Sequence, residues 1–162
     1  MPIIGSNRDL EQCTFTIGAV YEEPVERVWQ LWADPRQLER WWGPPMYPAT
    51  FEEHDLSPGS LVTYFMTGPE GDQPRGWWKV LEVDAPNSLL IDDGFGSDPE
   101  SAPAELPVMQ MRLTLAERDG GGTSMQLVTT FPSAESLQQI LDMGMEEGMA
   151  AAMSQIDAVL AQ

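Results

Sequence analysis

Between positions 14 and 21 apolar side chains fall at every second place, Phe15, Ile17, Ala19 and Tyr21, against Thr14, Thr16, Gly18 and Val20 on a more polar face. A period of two predicts a strand. After Pro24 the period changes: Val25, Val28, Trp29, Leu31 and Trp32 recur at helical spacing. The spacing predicts a helix that ends at Asp34-Pro35, with a second short helix over 38–41. Gly43-Pro44-Pro45 breaks the chain, and strand-like runs follow at 49–55, 60–66, 77–83 and 88–95. Pro58-Gly59, Pro69-Glu70-Gly71-Asp72 and Ala85-Pro86-Asn87 supply the turns between them. Two further runs, 108–115 and 124–131, set Met109, Met111, Leu113 and Leu115 on one face and Met125 and Leu127 on the matching one, joined through Asp119-Gly120-Gly121-Gly122 as a hairpin. From Ser133 to the end Leu137, Ile140, Leu141, Met145, Met149, Met153, Ile156 and Leu160 step by three and four, which predicts one long helix. Residues 1–11 and 96–107 have little to bury and are expected as mobile segments.

The order strand, two helices, six strands, long helix implies an α+β fold: one curved antiparallel sheet whose concave face is covered by the final helix. A chain of 162 residues suits one domain with one core. A bent sheet closed by a single helix leaves a gap, and its filling or openness decides function.

Several stretches carry a family resemblance: 28–32 (Val-Trp-Gln-Leu-Trp), Trp41-Trp42-Gly43-Pro44, Asp55 with Pro58-Gly59, 79–86 (Lys-Val-Leu-Glu-Val-Asp-Ala-Pro), Gly122-Thr123 and Glu147-Gly148. The chain resembles activators of heat shock protein 90 ATPase homologues, a family of the START-like, or SRPBCC, superfamily. The resemblance covers roughly 12–160 and implies the helix-grip (START/Bet v-like) fold. Relatives commonly carry a second glycine where this chain has Ser60 and a tryptophan where it has Met149. The superfamily includes lipid carriers, hormone receptors, polyketide cyclases and co-chaperones, so fold analogy leaves function open.

Charge excludes some partners. Twenty-six acidic residues stand against eight basic ones, a net charge of −18, and the seven arginines and Lys79 form no cluster. Nucleic acid and anionic membranes are therefore expected to be repelled. The acid excess fits either a high-salt habitat or a heavily solvated surface, and the second is preferred. No segment has the apolar length of a membrane span, the start lacks the pattern of a secretory signal, and Cys13 has no partner for a disulfide, so a cytoplasmic location is expected.

Candidate chemistry is sparse. His54 is the only histidine, so neither a nucleophilic triad nor a transition-metal set is expected, and Gly120-Gly121-Gly122 lacks the lysine and following helix of a phosphate loop. No cofactor, metal or catalytic residue is assigned. Of the adjacent carboxylates Glu52-Glu53 and Asp92-Asp93, only one of each pair can look inward; such a residue would be costly unless paired and could serve as a proton acceptor. The aromatic and sulfur-bearing residues carry more information. Six tryptophans and ten methionines, with Gly144, Gly148 and Ala152 beside the methionine stripe, suit an apolar site with polarizable walls, although core filling is the simpler use of each. The leading expectation is one apolar or aromatic, lipid- or polyketide-like small molecule held between sheet and final helix by Trp42, Tyr64, Met66, Trp78, Met109, Met111, Met145 and Met149. The alternatives are a cofactor-free cyclase- or hydrolase-like enzyme using an inward Asp or Glu, and a co-chaperone-like interaction domain. A homodimer stays open.

Overall fold

The computed structural model describes residues 3–103 and 105–161. Eight strands form one antiparallel sheet in the order β1-β2-β8-β7-β6-β5-β4-β3. They are β1 (Ile3–Asp9), β2 (Thr14–Tyr21), β3 (Ala49–Glu53), β4 (Leu61–Met66), β5 (Arg75–Asp84), β6 (Ser88–Phe95), β7 (Met109–Glu117) and β8 (Thr123–Thr130). Helices α1 (Val25–Ala33) and α2 (Pro35–Leu38) follow β2, and α3 (Ala134–Asp142), α4 (Met145–Met153) and α5 (Ile156–Leu160) close the chain. This is the helix-grip arrangement that the strand and helix order implies.

Alternation does the positioning. In β2, β7 and β8 every second residue is buried, and the buried sets Phe15, Ile17 and Ala19; Met109, Met111, Leu113 and Leu115; and Met125 and Leu127 face one core. Register carries that face across the sheet, pairing Met111 with Thr129 and Ile91, and Asp93 with Met109 and Trp78. At the β5 end the core is aromatic. Ring centroids lie 4.9 Å apart for Trp32–Trp41, Trp42–Trp78 and Phe51–Tyr64. Edge-to-face and tilted contacts of this kind add about 0.5–1.5 kcal/mol per pair beyond burial.

Four expectations need correction. Residues 1–11 are not simply a loose lead-in: Ile3–Asp9 is an edge strand paired with β2. Its pattern hid it because five of its seven residues are exposed and no buried face alternates. Met1 and Pro2 lie outside the described residues. The second short helix begins at Pro35 rather than at 38, because Pro35 suits a first turn and Asp34 caps it, accepting from the Arg36 amide at 2.9 Å. The strand expected over 49–55 stops at Glu53, and His54 just beyond it bonds the Trp32 carbonyl at 2.9 Å, a structural role. The long final helix is broken. Gly144 takes a left-handed φ of 92°, and its amide donates to the Leu141 carbonyl at 3.0 Å, which ends α3 and turns the chain into α4. Residues 96–107, of which Ala104 is outside the described set, contain one 3-10 turn at Pro99–Ser101.

Candidate functional site

Two apolar hollows meet beneath α4. The larger, about 250 Å³, lies between β6, β7, β8 and the α3–α4 corner, with Phe95, Met109, Ile140 and Met143 on its walls and Asp93 and Thr129 as its polar side chains. The smaller, about 170 Å³, lies between α4, β4 and the loop after α2, against Trp42, Pro44, Tyr64 and Met66. Met145 and Met149 line both. The two hollows are thus lobes of one groove, partitioned by two flexible thioethers that can move aside at low cost. For scale, a dry cavity of about 150 Å³ accepts benzene.

Small residues keep the groove open. Gly148 and Ala152 face the smaller lobe and Gly144 the larger. A β-carbon added at Gly148 would meet nothing within 4 Å. On the sheet side Gly76 makes room for the Tyr64 hydroxyl, which a β-carbon there would strike. Two ties set the height of α4 and its neighbour above the sheet. Glu146 accepts from the Ser6 hydroxyl at 2.5 Å and from Arg8 Nη2 at 3.2 Å, joining α4 to β1; the Ser6 bond, then Arg8, holds the Glu146 carboxyl below its usual range. Gln155 Nε2 donates to the Gly43 carbonyl at 2.6 Å, fastening the helical end to the loop that carries Trp42.

Asp93 is the chemical exception in this wall. It is half-buried, its open side facing the larger lobe, and no side chain or backbone group among the described residues hydrogen-bonds or pairs with its carboxylate. Loss of solvation pushes that carboxyl up to about 7. Burial, and after it the Asp93 charge, pushes the Tyr64 hydroxyl well above its ordinary value. The indole N–H groups of Trp32 and Trp78, whose rings lie against Trp42, are buried without a partner among the described residues.

Of the eight residues expected from sequence to hold a ligand, six line the groove: Trp42, Tyr64 and Met66 in the smaller lobe, Met109 in the larger, and Met145 and Met149 in both. Trp78 and Met111 do not. They are 0 % and 1 % exposed and pack as core behind the walls. Phe95, Thr129 and Ile140 also line the groove although the sequence reading did not single them out for it, and Asp93 is the inward member of the Asp92-Asp93 pair; 89, 91, 93 and 95 share a face of β6, and 125, 127, 129 and 131 a face of β8 and the residue after it.

The model of the family "Activator of Hsp90 ATPase homolog 1-like protein" matches residues 22–161. The chain belongs to that family. No curated protein matches it. Among solved structures, this member of the Hsp90 ATPase activator homolog family is similar to a Mycobacterium smegmatis protein at 49% identity and a TM-score of 0.89, over 98% of this chain and 97% of the other. A protein from Arthrobacter aurescens follows at 46% identity and a TM-score of 0.90, over 98% and 91%. A Staphylococcus epidermidis protein at 24% identity and a TM-score of 0.80, over 93% and 91%, speaks for the shared fold. Among the described residues, no helix is long and apolar enough to cross a membrane.

Proposed function

We propose that this protein binds one apolar or aromatic small molecule in the groove between its sheet and α4. The observation that carries the reading is the pair of apolar lobes sharing Met145 and Met149, held open by Gly148 and floored by aromatic rings. Apolar hollows with a few convergent polar groups are where small molecules bind. The net charge of −18 argues against nucleic acid or an anionic membrane as partner, and the single cysteine fits a cytoplasmic place of action.

Acid–base catalysis has one observation in its favour, the Asp93 carboxyl near 7. A reaction also needs a second group at the reacting atoms. Thr129 is the other polar side chain in the larger lobe, which serves recognition better than turnover.

An environment-sensitive apolar dye should therefore bind the folded protein saturably at about one site. Met149→Trp should fill the shared wall, weakening dye affinity about tenfold while costing under about 1.5 kcal/mol of stability. Dye titration beside chemical denaturation of both proteins checks this. A strongly destabilised variant with unchanged dye affinity would show a packed core at Met149 instead of open space.

A further inference from the structure

The groove is apolar except at one end, and the polar character there is of one sign. Asp93 lines the larger lobe between its cross-strand neighbours Trp78 and Met109, with Thr129 two strands away on the same wall. No described residue lining either lobe is basic. The cations nearest in sequence register, Arg75 and Lys79 on β5 and Arg112 on β7, alternate to the opposite face of the sheet, as does Asp92. Arg75 pairs there with Glu52, and Arg112 with Glu82. A buried carboxylate without a counter-charge is normally eliminated or paired. Here the missing partner has a place to sit, because the open side of Asp93 is the ligand space itself.

We infer that the groove takes an organic cation, an apolar or aromatic body in the methionine-lined space with a primary ammonium head seated on the Asp93 carboxylate. This rests on the groove being a ligand site and names the class of ligand. A primary ammonium offers three N–H donors, of which the two carboxylate oxygens of Asp93 can take two. The Phe95 ring and the methionine sulfurs of the larger lobe present electron-rich surface to positive charge. The overall charge of −18 draws cations toward the protein and repels carboxylate-bearing analogues. An acid with no positive side chain to receive it would meet Asp93 head-on.

The proton on Asp93 competes with such a ligand. With the carboxyl near 7, the ionised form that attracts ammonium is present above that pH and lost below it. Tyr64, the titratable neighbour facing Asp93 from β4, stays neutral. Glu135, Asp142, Glu146 and Glu147 on α3 and α4 do not line the lobe, and Glu146 is engaged by Ser6 and Arg8.

Calorimetric titration with phenylbutylamine and with neutral phenylbutanol, at about pH 5.5 and about pH 8.5 where the amine stays charged, tests the inference. The amine should bind at least about tenfold tighter than the alcohol at the higher pH, and that advantage should vanish at the lower one. Asp93→Asn should erase the advantage at both pH values. Equal affinity of the two probes in the native protein overturns the cation assignment, as does tighter alcohol binding at low pH, which would make protonated Asp93 a donor to neutral ligands. Amine preference that survives in Asp93→Asn also overturns it, since surface charge would then be the cause. Binding of the alcohol alone leaves the groove standing as an apolar site, whereas binding of neither probe removes both readings. The native protein's two-pH comparison decides even if the variant fails to fold.

Discussion

Asp93 occupies a place that its neighbours in phase, Leu89, Ile91 and Phe95, fill with hydrocarbon or aromatic rings. Its burial has a thermodynamic sign opposite to that of most native carboxylates. With the folded carboxyl near 7 and the unfolded one near 3.9, the folded state keeps a proton between those values that the unfolded state has released. Stability therefore falls as pH rises through that window and levels off above it. Asp93→Asn removes the titration. The variant should be indistinguishable from the native protein near pH 4 and more stable by on the order of 2–4 kcal/mol near pH 8, at 1.36 kcal/mol per pH unit. Urea midpoints at the two pH values check this, and a variant that is less stable at the higher pH would contradict burial as the cause. The residue was half-legible in sequence. That one of Asp92 and Asp93 must turn inward follows from the pleat, but which one depends on the phase set by Leu89 and Ile91. Trp78 and Met111 erred the other way: inward phase was readable, whereas depth behind the wall depends on how closely α4 and the Trp42 loop approach.

At the scale of elements, the strands were readable wherever one face is buried, as in β2, β7 and β8, and unreadable in β1, whose exposed edge carries no period. The final helix shows why periodicity alone overextends. Met145, Met149 and Met153 continue the three- and four-residue steps of Leu137 and Ile140, so the pattern runs through a corner that only the glycine marks. Two glycines four residues apart consequently have opposite roles. Gly144 is left-handed at φ 92°, and Gly148 is an ordinary helical residue; a β-carbon meets nothing within 4 Å at either. Backbone conformation alone should then decide. Gly144→Ala is expected to lose about 1–2 kcal/mol, and Gly148→Ala to gain about 0.5–1 kcal/mol. Thermal or urea unfolding of the pair measures the difference; a loss at both positions would mean that the space over Gly148 is less open than the groove requires.

Over the whole molecule, 26 acidic residues against eight basic ones leave the surface repelling itself. The ion pairs Arg8–Glu146, Arg36–Glu39, Arg75–Glu52 and Arg112–Glu82 use four of the cations locally. Exposed pairs are worth at most about 1 kcal/mol each, so screening should relieve more repulsion than it costs in attraction. The melting temperature is expected to rise between low salt and about 1 M, where the Debye length is about 3 Å; a flat or falling curve would remove repulsion as a significant factor. The sheet order carries a different consequence. Because Thr14 pairs with Thr130 and Tyr21 with Thr123, the first long strand of the chain finds its inner neighbour only after more than a hundred further residues exist. During synthesis β2 must wait, with its apolar face uncovered, until β8 has left the ribosome. Folding is governed by that distant closure and should be slow for a chain of this length.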